Sequence, residues 1–349
     1  MTCPARVLII DDSAVVRRQL REQLARQRGI EVVGTAPDPY TGRDMIVELE
    51  PDAITLDIEM PRMDGLTFLR KLMRFHPMPV VVVSSVTPSG CATAVACLDA
   101  GAIAVLAKPD QAYAIGDFSN ELGALLRETP GMRLARRTPV DAAAARAPRT
   151  PVIQTTHKVV AIGASTGGTD AIARVLAPLP GGCPGILIAL HMPAGFTTSF
   201  AERLDALCEI EVREAADGDS LTNGVALLAP GDTHLTLARD GARYIARVVN
   251  GPRVLRHRPS VEVLFESVAE NAGPNAMGVL LTGMGEDGAG GLRSMRDAGA
   301  YTVAQDEASC VVFGMPKVAI SLNAACDVLP LDAIPARVVE FATGNANAA

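Results

Sequence analysis

Short apolar runs alternate with amphipathic stretches in two separate series along this chain, the first from Arg6 to about Arg127 and the second from Lys158 onward. In the first, Val7-Leu8-Ile9-Ile10 precedes the stretch Val15 to Leu24, and Glu31-Val32-Val33 follows it. Alternation of this kind predicts a parallel sheet with helices on both faces, because parallel neighbours must be joined by a crossover. Val80-Val81-Val82-Val83 has no polar interruption and suits a central strand buried on both sides. In the second series, Lys158 to Ile162, Gly185 to Leu190 and Met277 to Leu281 read as strands. Thr197 to Leu207, Val261 to Asn271 and Gly290 to Ala298 read as helices. His234 to Val249 carries Arg-Asp-Gly-Ala between alternating segments, the pattern of a β-hairpin.

Between the two series the texture changes to prolines, alanines and arginines with little to bury, so a linker is expected. The chain of 349 residues is then two α/β domains, 1–127 and 158–349, joined through 128–157. A hydrophobic fraction of 48% with 20% charged residues fits a soluble globular protein. No apolar run approaches the roughly 18 residues of a membrane span, and Asp11-Asp12 comes too early for a signal peptide. A cytoplasmic protein with no membrane insertion is the expectation. The net charge of -7 and the absence of Trp weigh against nucleic-acid binding. A transcription regulator is not expected, because the C-terminal region shows neither a helix-turn-helix nor a basic recognition stretch. The seven cysteines form no close Cys-x-x-Cys pair, which favours buried thiols over disulfides or zinc.

Two groups of reactive side chains fall at predicted strand ends. Asp11 and Asp12 follow the first strand, Asp57 the third, Ser84 the Val80 to Val83 run, and Lys108 the fifth. In a doubly wound sheet these share the carboxyl edge, where ligands bind. Clustered carboxylates need a hard cation, and Mg²⁺ takes carboxylates, waters and a phosphate. With an exposed nucleophilic aspartate, a hydroxyl and a lysine, the edge suits phosphoryl acceptance. Singly, each residue has a plainer role as helix cap, loop acid or surface lysine. Together they resemble a response-regulator receiver domain over residues 5 to about 125, which implies a flavodoxin-like five-stranded sheet. The resemblance makes Asp57 the phosphoacceptor, Asp11, Asp12 and Asp57 the Mg²⁺ site, and Ser84 and Lys108 the switch residues. It also implies a histidine kinase as phosphodonor. Val105 stands where many receivers carry a switch aromatic.

Val159 to Gly168 runs from a strand into Gly163-Ala164-Ser165-Thr166-Gly167, a Gly-x-Ser-x-Gly turn before a helix. Such a turn exposes a serine hydroxyl and leaves backbone N–H groups for an oxyanion. A phosphate-cradling loop would use the same amides, but no P-loop lysine follows and the spacing is not Gly-x-Gly-x-x-Gly. A base and an orienting acid are needed. His191 and Asp287 both follow apolar strands, whereas His234 and His257 are rival bases in a Pro-Gly-Asp-Thr-His turn and in the run Arg256-His257-Arg258. An output domain that only binds a partner or nucleotide stays open on these residues alone.

Taken with Asp57-Ile58-Glu59-Met60-Pro61, His191-Met192-Pro193, Ala229 to Leu235, Arg258-Pro259-Ser260-Val261, Leu281 to Gly288, Gln305-Asp306-Glu307 and Phe313 to Pro316, the chain resembles the chemotaxis protein-glutamate methylesterase and glutamine deamidase family. That resemblance implies a mainly parallel hydrolytic domain with Ser165 as nucleophile, His191 as base and Asp287 as orienting acid. It places oxyanion donors at the backbone N–H groups of Thr166 and Met284 and requires no cofactor for ester hydrolysis. Methyl-accepting chemoreceptors would be the substrates, and the receiver would regulate access to the hydrolytic cleft.

Overall fold

The computed structural model describes residues 3–108, 115–130, 132 and 157–344. It divides into two compact units between residues 137 and 138. The expected linker falls almost wholly outside the described residues.

The N-terminal unit runs β1 (Ala5–Ile10), α1 (Ala14–Leu24), β2 (Ile30–Ala36), α2 (Pro39–Leu49), β3 (Ala53–Asp57), α3 (Gly65–Phe75), β4 (Val80–Ser84), α4 (Pro88–Ala100), β5 (Ala104–Ala107) and α5 (Ile115–Arg127). Its parallel sheet has the order β2-β1-β3-β4-β5, so the winding reverses between β1 and β3 and opens a crevice at their carboxyl ends. Strand β4 lies between β3 and β5, and Val80 to Val83 are buried, as an uninterrupted apolar run requires. Helix starts are set by local caps: Ser13 accepts from the Val16 N–H at 3.4 Å and Asp64 from the Thr67 N–H at 2.8 Å. Ser13, rather than Asp11 or Asp12, is thus the N-cap of α1.

The C-terminal unit runs β6 (Val159–Ala164), α6 (Gly168–Leu176), β7 (Gly185–Leu190), α7 (Phe196–Leu207), β8 (Glu211–Glu214), β9 (Val225–Leu228), β10 (His234–Asp240), β11 (Arg243–Val249), α8 (Val261–Ala272), β12 (Ala276–Leu280), α9 (Ala289–Asp297), β13 (Tyr301–Gln305), α10 (Met315–Ser321), β14 (Asp327–Leu329) and α11 (Ile334–Thr343). Seven strands pair in the order β14-β13-β12-β6-β7-β9-β8, and every pairing is parallel. The β10–β11 hairpin is antiparallel and separate, closing through Gly241 and Ala242. Leu264, Phe265 and Val268 on one side of α8 share a core with Leu235 and Leu237 of β10 and with Leu292 and Met295 of α9. Fully burying a side chain such as Phe265 contributes roughly 2–3 kcal/mol, which holds α8 against the strands that carry the site. Among the described residues no helix is long and apolar enough to cross a membrane.

Candidate active site

The chain enters the C-terminal sheet at β6, winds outward through β7, then returns to β12 on the other side, so the sheet reverses between β6 and β12. Their carboxyl ends are level: Ala164 pairs with Leu190 and Gly163 with Leu280. The ladder continues one step past the strands. The Ser165 N–H donates to the Thr282 carbonyl at 3.0 Å and the His191 N–H to the Ala164 carbonyl at 3.2 Å. These bonds fix where both side chains leave the sheet.

Two glycines shape the turn. Gly167 has a φ of 77°, which favours glycine, and a Cβ there would lie 2.6 Å from Val311. Gly283 abuts the nucleophile turn, where a Cβ would lie 2.8 Å from the Ser165 Cβ. The next residue is Met284. Among the described residues neither the Thr166 nor the Met284 N–H has a hydrogen-bond acceptor of its own. The Thr282 hydroxyl lies 3.0 Å from the Thr166 carbonyl and accepts from the Val312 N–H at 3.0 Å, tying the turn to the segment before α10.

The structure brings Ser165, His191 and Asp287 together around one imidazole. His191 Nδ1 lies 3.0 Å from Ser165 Oγ, and its Nε2 lies 2.7 Å from Asp287 Oδ2. With Nε2–H donating to the carboxylate, Nδ1 presents its lone pair to the serine hydroxyl and can take its proton. Asp287 is almost fully buried and accepts three further bonds: from Ser260 Oγ at 2.7 Å, the Val261 N–H at 2.7 Å and the Glu262 N–H at 3.1 Å. Ser260 precedes α8 without capping it by its own side chain; the Asp287 carboxylate occupies that helix start instead. Burial would raise the Asp287 carboxyl, but the His191, Ser260 and Val261 bonds outweigh it and hold it below the usual carboxylate range. Glu262 in turn accepts from the Gly288 N–H at 3.0 Å, bracing the loop from behind.

Neither rival histidine occupies the base position. His234 is buried; its Nδ1 accepts from the Ser260 N–H at 3.2 Å, so its Nε2 donates to the Pro252 carbonyl at 2.9 Å. It is a strut beneath the Asp287 support. His257 stacks flat on His191, with ring centroids 3.6 Å apart and planes 7° from parallel. Burial, with help from His191 and from Arg253 and Arg256, pushes the His257 imidazole down to about 3. The sequence offered His257 only as a rival base and Ser260 only inside the Arg258-Pro259-Ser260-Val261 motif; their roles come from contacts with residues more than 25 positions away. Burial pushes the Cys183, Cys208 and Cys310 thiols up to about 12, so these three do not compete as nucleophiles, whereas Cys3 and Cys326 are exposed against the expectation of buried thiols.

The depressed His257 predicts an acid-sensitive fold. The unfolded chain takes up this proton near 6.5, the folded one near 3, so the unfolded state binds more protons between those values. The contribution is intact above about pH 6.5 and is lost as pH falls toward 3, with a slope of at most about 1.4 kcal/mol per pH unit. In urea titrations of the full chain between about pH 6 and 4, His257→Phe should show a shallower loss of stability than wild type. Parallel slopes would exclude His257 as the source.

In the N-terminal unit, Asp57 and Ser84 are the last residues of β3 and β4, beside Asp11 after β1. One carboxylate oxygen from each of Asp11, Asp12 and Asp57 lies within 4.8 Å of the others. Lys108 Nζ lies 2.7 Å from Asp57 and 3.1 Å from Asp11. The expectation of an exposed nucleophilic aspartate is corrected: Asp57 is 2% exposed, drawn in by Lys108, and the solvent-facing acid is Asp12. Burial raises the Asp57 carboxyl, and Asp11 adds to this against the pull of Lys108. Burial opposes the Lys108 charge, but its bonds to Asp57 and Asp11 outweigh that and raise it. Ser84 is buried and donates to the Ser85 carbonyl at 3.3 Å. Val105 is buried in register with Val82, an aliphatic side chain where an aromatic switch would stand. Three hard carboxylate oxygens fit a Mg²⁺ ion that keeps several waters.

Comparison with known proteins agrees with both folds. Residues 160–338 match the CheB methylesterase family and residues 7–116 the response regulator receiver domain. The chain is 55% identical to protein-glutamate methylesterase/protein-glutamine glutaminase 4 of Anaeromyxobacter dehalogenans (strain 2CP-C), over 97% of this chain and 95% of that one. It is 52% identical to protein-glutamate methylesterase/protein-glutamine glutaminase 2 of Syntrophus aciditrophicus (strain SB), over 96% and 98%. The crystal structure of the Thermotoga maritima CheB methylesterase catalytic domain covers 53% of this chain and 98% of its own, at 38% identity and a TM-score of 0.52. A receiver unit followed by a wholly parallel hydrolytic sheet, matched over nearly its full length by such relatives, means that the chain belongs to the CheB protein-glutamate methylesterase/protein-glutamine glutaminase family.

Proposed function

We propose that this protein removes methyl groups from glutamyl methyl esters on the cytoplasmic helices of methyl-accepting chemoreceptors, and deamidates glutamines there, under control of phosphorylation at Asp57. The observation that carries the chemistry is a single imidazole bridging Ser165 and Asp287. Ser165 Oγ attacks the ester carbonyl carbon while His191 Nδ1 takes the hydroxyl proton, and Asp287 stabilises the resulting imidazolium. The negative charge on the carbonyl oxygen is met by the backbone N–H groups of Thr166 and Met284. As the tetrahedral centre collapses, the carbon–methoxy bond breaks and His191 returns its proton to the leaving oxygen, releasing methanol. Water then attacks the acyl-serine with His191 again as base, freeing glutamate and the Ser165 hydroxyl. A glutamine side chain follows the same course with ammonia leaving.

Asp57 is the phosphoacceptor, with a histidine kinase as donor, in the cytoplasm. Asp11, Asp12 and Asp57 would hold Mg²⁺, which offsets charge on the incoming phosphoryl group. Lys108 and the Ser84 hydroxyl engage the phosphoryl oxygens, the latter by leaving the Ser85 carbonyl, and the added charge is what the output unit senses. The test is methanol release from methylated receptor with and without a small phosphodonor. Asp57→Ala should keep the unstimulated rate and lose stimulation; equal stimulation of variant and wild type would remove the receiver from the account.

A further inference from the structure

The basic run around His257 divides between three tasks. Arg258 is committed to structure: its guanidinium contacts Asp232 at 2.6 and 3.0 Å and donates to the Gly251 carbonyl at 2.7 Å. His257 is committed to His191, against which it stacks. Arg253 and Arg256 are exposed and, among the described residues, have no acidic partner; Arg253 reaches only the Arg256 carbonyl, at 3.4 Å.

The backbone explains how all three fit in so few residues. Val254 and His257 exchange two hydrogen bonds, at 3.1 and 2.8 Å, leaving Leu255 and Arg256 as a two-residue tip. Both tip residues are left-handed, with φ of 47° and 74°, at positions where glycine or asparagine is the usual choice. A strained tip persists where its surroundings impose it, and such tips concentrate at functional sites. Here it turns His257 inward onto the base while holding Arg256 out beside the same site. In a chain of net charge -7, this leaves two guanidinium groups, three residues apart and without an acidic partner among the described residues, on a turn joined to the Ser165 site by the His257–His191 stack.

We infer that Arg253 and Arg256 form a carboxylate-reading lip, binding a free glutamate that lies one helical turn from the ester undergoing hydrolysis. The inference rests on the esterase reading above and deepens it. On a helical substrate, residues three or four positions apart share a face with Cβ atoms about 5–6 Å apart, a spacing that arginine side chains span. Guanidinium forms charge-assisted, often bidentate bonds to a carboxylate, and a methyl ester or an amide at the same place offers no charge. The enzyme would therefore act faster where the neighbouring site already carries a free carboxylate. Each demethylation then favours the next one along the helix.

The test is kcat/KM for methanol release by the full-length protein from two versions of a receptor cytoplasmic fragment. Each carries one methylated glutamate, with either Glu or Gln one turn away. Wild type should prefer the Glu version by about threefold to tenfold, the range that two exposed ion pairs allow, and the preference should shrink as salt is raised. In Arg253→Gln/Arg256→Gln the ratio should fall to about one or below, since the remaining charge of the protein repels an acidic substrate. Arg253→Lys/Arg256→Lys should retain most of the preference, which separates lost charge from a damaged turn. A wild-type ratio of one, or the same ratio in the Gln double variant, overturns the inference. So does a Gln double variant with its ratio intact but a raised unstimulated rate, which would assign the arginines to the receiver. Failure of wild type to release methanol from either fragment would sink the esterase reading, and the lip with it; turnover without preference sinks the lip alone.

Discussion

Ser165→Ala will lower methanol release from methylated receptor by roughly 10³ to 10⁶, the scale seen when a hydrolase loses a nucleophile that works as a unit with its base. The loss should fall on kcat, because the hydroxyl forms a bond only as the reaction proceeds. The fold should survive the change. Ser165 sits at the end of a strand whose backbone bonds to Thr282 do not involve its side chain, and the hydroxyl's contact is with His191. The residual rate should exceed that of water alone, since the Thr166 and Met284 N–H groups remain to stabilise an oxyanion on which a water molecule, rather than serine, has attacked. Equal methanol release by the variant and wild type would reject serine catalysis and return the output unit to a binding role. The buried thiols of Cys183 and Cys310 cannot take over, because burial holds them un-ionised.

How much of this was legible in the sequence follows from where each kind of information resides. Strand ends were legible, because apolar runs such as Val80 to Val83 and Gly185 to Leu190 stop at a polar residue, and a doubly wound sheet gathers those stops at one edge. That is why Asp11, Asp57, Ser84 and Lys108 converge, and why Ser165 and His191 lie on adjacent strands. What surrounds Asp287 was not legible. Its partners come from the start of α8, and no local pattern marks Ser260 as a donor to a carboxylate 27 positions away. The stacking of His257 on His191 was hidden for the same reason: the basic run Arg256-His257-Arg258 offers His257 as a rival base, and only the left-handed tip at Leu255 and Arg256 turns it onto His191. The burial of Asp57 was missed because a phosphoacceptor must be reachable, whereas the approach of Lys108 depends on β5 lying beside β4. Nor does a sequence say which ring nitrogen of a histidine faces its serine.

That last detail governs the second large effect. Asp287→Asn should reduce kcat by roughly 10³ to 10⁴, although the side chain is nearly the same shape. The carboxylate accepts four bonds, from His191 Nε2, Ser260 Oγ and the Val261 and Glu262 N–H groups, and Oδ2 serves His191 and Val261 together. An asparagine has one acceptor oxygen and an NH₂ that only donates. If its oxygen takes the Oδ2 place, the NH₂ points at the Glu262 N–H, donor against donor. If it flips, the NH₂ faces the Val261 N–H and donates to His191 Nε2, so the proton of the neutral ring moves to Nδ1, where it blocks transfer from Ser165. The first arrangement keeps the tautomer but removes the charge that stabilises the imidazolium; the second loses both. Ser260→Ala should cost far less, about tenfold, because the carboxylate keeps its charge and three donors. Measuring kcat for both variants, alongside their urea unfolding, separates orientation of the base from loss of fold. A stable Asp287→Asn protein within about tenfold of wild type would show that the carboxylate does not set the tautomer of His191.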